Sequence, residues 1–184
     1  DFVLGLKRLQ YFMDSGLIDS YANTRNGLIG QSYSSKFSAY LAMGCLSPRL
    51  VYAKNKERQR DTEYKNGSHN DGTKKMHQEL GFRDHFIMLA RDNNPKLFFP
   101  SGLKAPGTFD YWSNSPEEKK LFQMWIDGKT GFPFVDAAML ELKHTGYASN
   151  RTRQNIASFL IHNLRVDWRW GAEYFESMLI DHDT

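Results

Sequence analysis

Residues 115–128 (SPEEKKLFQMWIDG) contain the helix signals on which the fold prediction for this chain depends. Ser115 is a good N-cap because its hydroxyl can accept from the unpaired N–H groups that begin a helix. Pro116 suits the first helical position, and the two acidic residues after it complement the positive end of the helix dipole. Gly128 follows the last apolar residue and favours a helix end. The stretch therefore predicts an α-helix from 116 to shortly before Gly128.

The same kinds of signal recur along the whole chain. Apolar residues repeat at three- and four-residue steps, and no stretch shows the alternation of a β-strand. The segments 21–34, 60–72 and 92–112 are polar or rich in Gly and Pro, so we expect loops there. The pattern predicts an all-α, multi-helix globular domain over residues 1–184, with about eight helices, at 2–13, 35–43, 48–59, 73–91, 116–127, 133–144, 150–164 and 168–180.

Composition narrows the classes of protein to which the chain could belong. Of its 184 residues, 40 % are hydrophobic and 24 % are charged, which is typical of a globular protein. A single cysteine excludes a disulfide framework, and no apolar run approaches the roughly 20 residues of a membrane span. Since no signal peptide is visible, we expect an intracellular protein of a reducing compartment that does not contact a membrane. The net charge of +3 is compatible with a nucleic-acid partner.

Several common kinds of site are not indicated. The sequence has no P-loop, no Gly-rich dinucleotide motif after a strand and no G-x-S-x-G motif. Its six histidines and one cysteine do not show metal-ligand spacing, so we expect no metal site. Aromatic residues make up 14 %, enough to build a dense core, to stack against planar ligands, or both.

Two polar segments are candidates for ligand binding. In residues 33–38 (YSSKFS), hydroxyls and an ammonium group lie where a loop turns into a helix, which suits a phosphate. The alternative is that Ser34 or Ser35 simply caps that helix, with Lys36 in solvent. Further on, Asn150, Arg153 and Gln154 share a helix side with core residues, so they need internal partners, either a polar planar ligand or the carboxylate of Asp181 or Asp183.

Other charged and aromatic residues have two interpretations each. Glu79 and Arg83 have i, i+4 spacing and form either an ordinary helix-surface pair or a costlier, partly buried one. Trp112 and Trp168 suit core positions or electron transfer. A basic stretch is either a contact for nucleic-acid phosphates or a solvated helix face; it comprises Arg49, Lys54, Lys56, Arg58 and Arg60.

Seven motifs occur in an order that resembles the helical FAD-binding domain of the photolyase/cryptochrome family, most closely its DASH branch. Residues 128–137 and 150–153 are the most specific of them, and Gln154 after Arg153 favours the DASH branch. The motifs are Y21-x-x-x-R-N-G27, Y33-S-S-K-F-S38, G44-C-L-S-P-R49, E79-L-x-x-R-D84, G128-K-T-G-F-P-F-V-D-A137, S149-N-R-x-R-Q154 and D167-W-R-W-G-A-E173.

The resemblance implies that the chain binds FAD and that Arg153 pairs with Asp181. It also implies that the hydroxyl-rich segment and the Asn150 helix face converge on one cavity, with Asp183 near the edge of the flavin ring. The residues that would hold FAD are Tyr21, Ser34, Ser35, Lys36, Phe37, Ser38, Asn150, Arg153, Asp181 and Asp183.

The resemblance further implies light-driven repair of cyclobutane pyrimidine dimers in DNA, single-stranded or damaged. Glu79 would contact the dimer, Phe82 would stand where photolyases usually have a stacking Trp, and Arg83 would lie beside them. Arg151 would contact the DNA backbone. Trp112 and Trp168 match members of the family's electron-transfer chain. These catalytic and DNA-binding assignments are implied by the resemblance alone.

The chain also departs from the family pattern. The N-terminal antenna domain of the family has no counterpart here, and we expect the flavin pocket to be incomplete at the C-terminal end, because the sequence stops at Thr184. Two other functions therefore remain open. One is a cryptochrome-type photoreceptor that binds FAD without repairing DNA, and the other is a helical domain that has lost the flavin.

Overall fold

The computed structural model describes residues 1–66, 70–105 and 114–183, with the side chains of 65 and 66 left out. These residues form two compact units, one made of 1–89 with the C-terminal residues from 183, the other of 90–182. Every regular element in the described residues is helical, which confirms the all-α prediction. That the whole chain is a single domain stays a prediction.

The helices mostly begin and end where capping residues stand. Ser115 accepts from the Glu118 N–H at 3.1 Å, as predicted, and Gly146 ends its helix in the left-handed conformation at φ 66°. A 3₁₀ turn covers Lys96–Phe98 and a π-helical turn covers Phe159–Asn163. The α-helices are α1 Phe2–Asp14, α2 Tyr21–Thr24, α3 Ser38–Ala42, α4 Pro48–Asn66, α5 Asp71–Asn93, α6 Pro116–Ile126, α7 Pro133–Thr145, α8 Asn150–Ser158 and α9 Trp168–Met178.

Two expectations about loops were wrong. The short helix α2 lies inside segment 21–34, and α4 continues to Asn66 instead of ending near Gln59. The continuation is supported by a side-chain pair at i, i+4 spacing, in which Gln59 donates to Glu63 at 2.9 Å. An exposed helix needs no apolar stripe when such local pairs form, so polar composition alone misled the prediction.

The core of the first unit is centred on Phe12, which is almost completely buried. Its ring packs edge-on against Tyr21 at 5.9 Å and against Phe37 at 5.2 Å, measured between ring centroids. Aromatic edge-to-face pairs add to the stability that burial of the rings supplies. Phe12 thereby joins α1 to α2 and to the residue before α3. The other buried core residues here are Leu9, Met13, Ile18, Leu46, Val51 and Met76.

The core of the second unit is centred on Trp125, which is fully buried. Its indole N–H donates to the Ile156 carbonyl at 3.1 Å, so the polar group of this large ring is satisfied. Phe122 stacks on Trp125 at 5.9 Å, and Phe175 packs against it edge-on at 5.8 Å. These contacts hold α6, α8 and α9 around one aromatic centre.

The turn before α7 is organised by the carboxylate of Asp136. It accepts from the Thr130 N–H at 2.7 Å, the Thr130 hydroxyl at 2.5 Å and the Gly131 N–H at 3.0 Å. Burial alone would raise the pKa of Asp136, but the hydrogen bonds from Thr130 and Gly131 outweigh it and hold the pKa below its usual value. A large part of the 128–137 motif therefore has a structural role.

We expect Asp136→Asn to change the pH dependence of stability. A lowered folded-state pKa stabilises the fold above the unfolded-state pKa of about 3.9, and this contribution is lost as pH falls through the folded-state pKa. The variant should therefore be less stable by about 1 kcal/mol at pH 7, after allowance for solvent screening. The difference should shrink below about pH 4 in urea unfolding. Asp92→Asn, at an exposed position, is the control. A difference in unfolding free energy between the parent chain and Asp136→Asn that stays the same at all pH values would contradict the prediction.

Candidate functional site

The loop 31–37 of the first unit carries the hydroxyl-rich segment. Ser34 and Lys36 have φ values of 61° and 59°, and Ser38 is the first residue of α3. The alternative that Ser34 or Ser35 caps α3 is wrong, because Phe37 is the N-cap residue and the cap has no side-chain hydrogen bond. The serine hydroxyls therefore do not serve the helix end.

Residues from α1 hold this loop, and the sequence analysis missed them. Arg8 donates from Nε to the Ser35 carbonyl and from Nη2 to the Gln31 carbonyl, both at 2.9 Å. Phe12, four residues later on the same helix, packs against Phe37. The i, i+4 spacing of an arginine with a core phenylalanine was the available signal, but an arginine on a helix is usually solvated.

Gly27 allows the ring of Tyr33 to pack closely at the start of the segment. A Cβ atom built on Gly27 would lie 2.2 Å from the Tyr33 ring, closer than real Cβ contacts. A glycine is therefore required at this approach. The position explains why the R-N-G motif at 25–27 occurs together with the Y-S-S-K motif that follows it.

The donor set of the loop suits a pyrophosphate group. Residues 31–38 (QSYSSKFS) contain four serines, one tyrosine and one lysine, and no carboxylate that would repel an anion. Alternation between left-handed and ordinary backbone conformations is also typical of concave anion-binding loops. The residues present therefore fit the phosphate portion of a dinucleotide cofactor.

Glu79 lies between two cations in the first unit. Its Oε1 atom is 3.0 Å from Nη1 of Arg25 and 3.1 Å from Nζ of Lys75. The Lys75 ammonium also lies 6.0 Å from the centre of the Phe82 ring, which is 53 % exposed. A carboxylate, a cation and an exposed ring are thus grouped on α5, and neither Arg25 nor Lys75 was predicted as a partner.

The expected pair between Glu79 and Arg83 is not formed. Arg83 instead donates from Nε to Oδ2 of Asp183 at 2.7 Å. Two guanidinium nitrogens of Arg83, Nε and Nη2, contact the same oxygen of Asp183. The prediction failed because sequence spacing shows only the partners available within one helix.

Arg153 forms the ion pair with Asp181 that the sequence predicted. Its Nη2 atom lies 2.9 and 2.8 Å from the two carboxylate oxygens, and the Asp181 side chain is only 1 % exposed. Nε of Arg153 donates to the Ala148 carbonyl at 2.8 Å, and the guanidinium lies 5.5 Å from the Tyr147 ring centre. The C-terminal segment is thereby fixed to the start of α8.

The other predicted site residues of the second unit are placed as follows. Asn150 and Arg151 are exposed at the start of α8, and Gln154 is exposed one turn later. The Trp168 indole donates to the Pro100 carbonyl at 2.9 Å. Trp112 lies outside the described residues. Because Ser35 and Asn150 belong to different units, their convergence on one cavity stays a prediction.

Two of the five cations in the basic stretch on α4 form ion pairs with carboxylates of the same unit. Lys54 pairs with Glu57 at 2.8 Å, and Nε of Arg58 donates to Oδ1 of Asp19 at 3.1 Å. The hydrogen bond from Arg58 lowers the pKa of Asp19, against the effect of burial. These pairs favour the interpretation as a solvated helix face.

The described parts of the chain lack two kinds of feature. No group of three or more His, Cys, Asp or Glu side chains there has the arrangement of a metal site. None of the helices there is both long and apolar enough to cross a bilayer.

We expect the Arg153–Asp181 pair to be a major contributor to stability. Asp181→Asn keeps the side-chain volume but leaves the guanidinium without its carboxylate, which should cost roughly 3 kcal/mol of unfolding free energy. Glu57→Gln is the matched control, since its pair with Lys54 is 50–60 % exposed and solvent screening leaves that pair little effect on stability. Guanidinium chloride unfolding of both variants measures the difference. Equal losses would contradict the prediction.

Comparison with known families gives a match to the FAD-binding domain of DNA photolyase over residues 76–184. Among curated proteins, Cryptochrome DASH of Synechocystis sp. is 47 % identical over 183 residues, covering 98 % of this chain and 35 % of that protein. Cryptochrome DASH of Xenopus laevis is 46 % identical over 180 residues, covering 97 % and 32 % respectively. The chain thus spans about a third of the length of these relatives.

Solved structures give the same result. The crystal structure of Synechocystis sp. cryptochrome superposes with a TM-score of 0.89 at 47 % identity, covering all of this chain and 36 % of that one. A bacterial class III photolyase from Agrobacterium tumefaciens superposes with a TM-score of 0.79 at 30 % identity, covering all of this chain and 35 % of the photolyase. With the family match extending over more than half its length, the chain belongs to the family of FAD-binding domains of DNA photolyase, and its cofactor is FAD.

Proposed function

We propose that this chain provides the flavin-binding and substrate-binding residues of an FAD-dependent protein that repairs cyclobutane pyrimidine dimers in DNA under blue light. The observation that carries the proposal is the group on α5, where the Glu79 carboxylate is held by two cations beside the exposed ring of Phe82. Membership in the family supports the flavin part of the proposal.

The loop 31–37 would hold the phosphates of FAD. The hydroxyls of Ser34, Ser35 and Ser38 would donate to phosphate oxygens, and the Lys36 ammonium would offset their negative charge. Tyr21 and Phe37 would support the loop from beneath through the buried ring of Phe12. When bound, FAD supplies the light-absorbing redox centre.

The second unit would supply the residues along the flavin. Asn150 is exposed and has both a donor and an acceptor group, so it can bind a polar planar ring. Arg153 would be oriented by Asp181 beside it, with Asp183 near the ring edge as the family resemblance implies. Trp168, and Trp112 outside the described residues, would carry electrons to the site.

The dimer would bind where Glu79 and Phe82 lie on α5. The two residues are three positions apart and can flank one substrate. Phe82 offers an apolar face against which an extruded base can stack, and the Glu79 carboxylate can accept a hydrogen bond from a pyrimidine N–H group. Arg151, exposed at the start of α8, would neutralise a backbone phosphate. Arg83 would act through its pair with Asp183.

A second function, light signalling without repair, is favoured by one feature. Phe82 has a smaller ring than the tryptophan that photolyases usually have at this position, and it lacks the indole N–H. Weaker dimer binding would leave a flavoprotein that absorbs blue light and does not act on DNA. The relatives named Cryptochrome DASH are compatible with either function.

The flavin part of the proposal predicts that the loop 31–37 controls FAD affinity. Lys36→Ala and Ser35→Ala should each weaken FAD binding by about tenfold, since each removes a group that binds phosphate. Quenching of flavin fluorescence on titration with the purified chain measures the affinity. Lys74→Ala, which removes an exposed cation from α5, is the control. If the unaltered chain shows no flavin absorption bands after incubation with FAD, that result contradicts the flavin part of the proposal for this chain and supports the third alternative, a domain that has lost the flavin.

The repair part predicts that Glu79→Gln slows dimer splitting by at least about tenfold while FAD binding is kept. The assay is illumination of the chain with reduced FAD and a dimer-containing single strand, followed by the recovery of thymine absorbance.

Phe82→Trp should tighten binding of the dimer because base stacking is worth roughly 1–3 kcal/mol and grows with ring area. Glu57→Gln is the control. A flavin-loaded chain that repairs nothing with either residue at 82 would support the photoreceptor function.

A further inference from the structure

The backbone of the loop 31–37 needs an external support. Ser34 and Lys36 both have positive φ values, 61° and 59°, which side-chain-bearing residues adopt uncommonly. Glycine would adopt this conformation without cost, yet the chain has serine and lysine at these positions. Such a backbone persists where the surrounding structure holds it in place.

Arg8 supplies this support from α1. Its Nε and Nη2 atoms donate to the carbonyls of Ser35 and Gln31, both at 2.9 Å. The two carbonyls lie on either side of Ser34, and the planar guanidinium fixes their relative directions. Because a peptide unit is planar, orienting the Ser35 carbonyl also orients the peptide that leads into Lys36. One side chain therefore constrains both residues with positive φ.

Arg8 is itself held by aromatic neighbours. Its guanidinium carbon lies 5.7 Å from the ring centre of Tyr11 and 5.9 Å from that of Phe12. Burial lowers the pKa of Arg8 from its ordinary value, against the effect of Tyr11 and Tyr40, and an arginine remains charged under such a shift. The partly desolvated guanidinium makes stronger hydrogen bonds than it would in water. Phe12 also packs against Phe37, so α1 fixes both ends of the loop.

We propose that Arg8 is a positioning residue for the phosphates of the cofactor, which holds the loop 31–37 in its binding conformation without contacting the ligand. The inference rests on the proposed flavin function and extends it. Arg8 lies on α1, and none of the predicted FAD contacts lies on that helix. Its consequence is that loss of Arg8 weakens the binding of ligands according to their phosphate content.

The test compares two flavins that differ in phosphates. FAD and riboflavin are titrated against the chain, Arg8→Met and Arg8→Lys, with flavin fluorescence as the readout. Arg8→Met should weaken FAD binding by about tenfold and change riboflavin binding less than about twofold. Arg8→Lys keeps the charge but not the two-pronged geometry, so it should recover only part of the loss. Lys7→Met removes the exposed cation next to Arg8 and is the matched control, expected to resemble the parent chain.

Hydrogen exchange without flavin tests the support of the loop directly. Arg8→Met should speed amide exchange in residues 31–37, whereas Lys7→Met should not. Unchanged exchange overturns the inference whatever the flavin results, and so does an equal loss of FAD and riboflavin affinity, which would indicate general destabilisation. If exchange changes as expected but the parent chain binds no FAD, the proposed function fails, and the assignment of Arg8 to cofactor binding fails with it.

Discussion

Charged groups inside this chain must have partners, and this constraint determines where its irregular segments lie. A buried charge without a partner costs several kcal/mol, more than most single contacts supply. Glu118, which is buried, accepts from the N–H groups of Asn114 and Asp167. Arg153 likewise ties the C-terminal segment to α8 through Asp181. The loops beside α6, α8 and α9 are therefore fixed by polar contacts as well as by apolar burial.

The same constraint shapes the proposed phosphate-binding loop. The partly buried guanidinium of Arg8 is satisfied by donating to two backbone carbonyls, so the loop 31–37 and the arginine stabilise each other. Phe12 adds an apolar contact to Phe37 at the end of that loop. A site that presents hydroxyls and an ammonium group to an anion is preorganised in this way before any ligand arrives, which lowers the entropic cost of binding. Preorganisation is the main contribution that the first unit makes to the proposed function.

Local signals predicted most of the fold, and they failed where local rules allow two outcomes. The cap at Ser115 was predicted correctly because it depends on a hydrogen bond within three residues. The end of α4 was misplaced because polar residues suit a loop and an exposed helix equally well. In the site, the chemistry of Ser34, Ser35 and Lys36 could be read from the sequence. The conformation of their loop could not, since it depends on Arg8, more than twenty positions away.

The sequence by itself determined the helical fold class, the residues able to bind an anion and, through its ordered motifs, the family. Each of these depends on residue type and on spacing within a short stretch. Only the tertiary structure decided which distant partners Glu79 and Arg83 take. Glu79 contacts Arg25, 54 positions away, and Arg83 contacts Asp183, 100 positions away, while the i, i+4 pair that spacing suggested does not form. The physical reason is that a carboxylate or guanidinium binds any well-oriented partner in space. Folding adds partners from outside the helix to those that the helix itself offers, such as Lys75 beside Glu79.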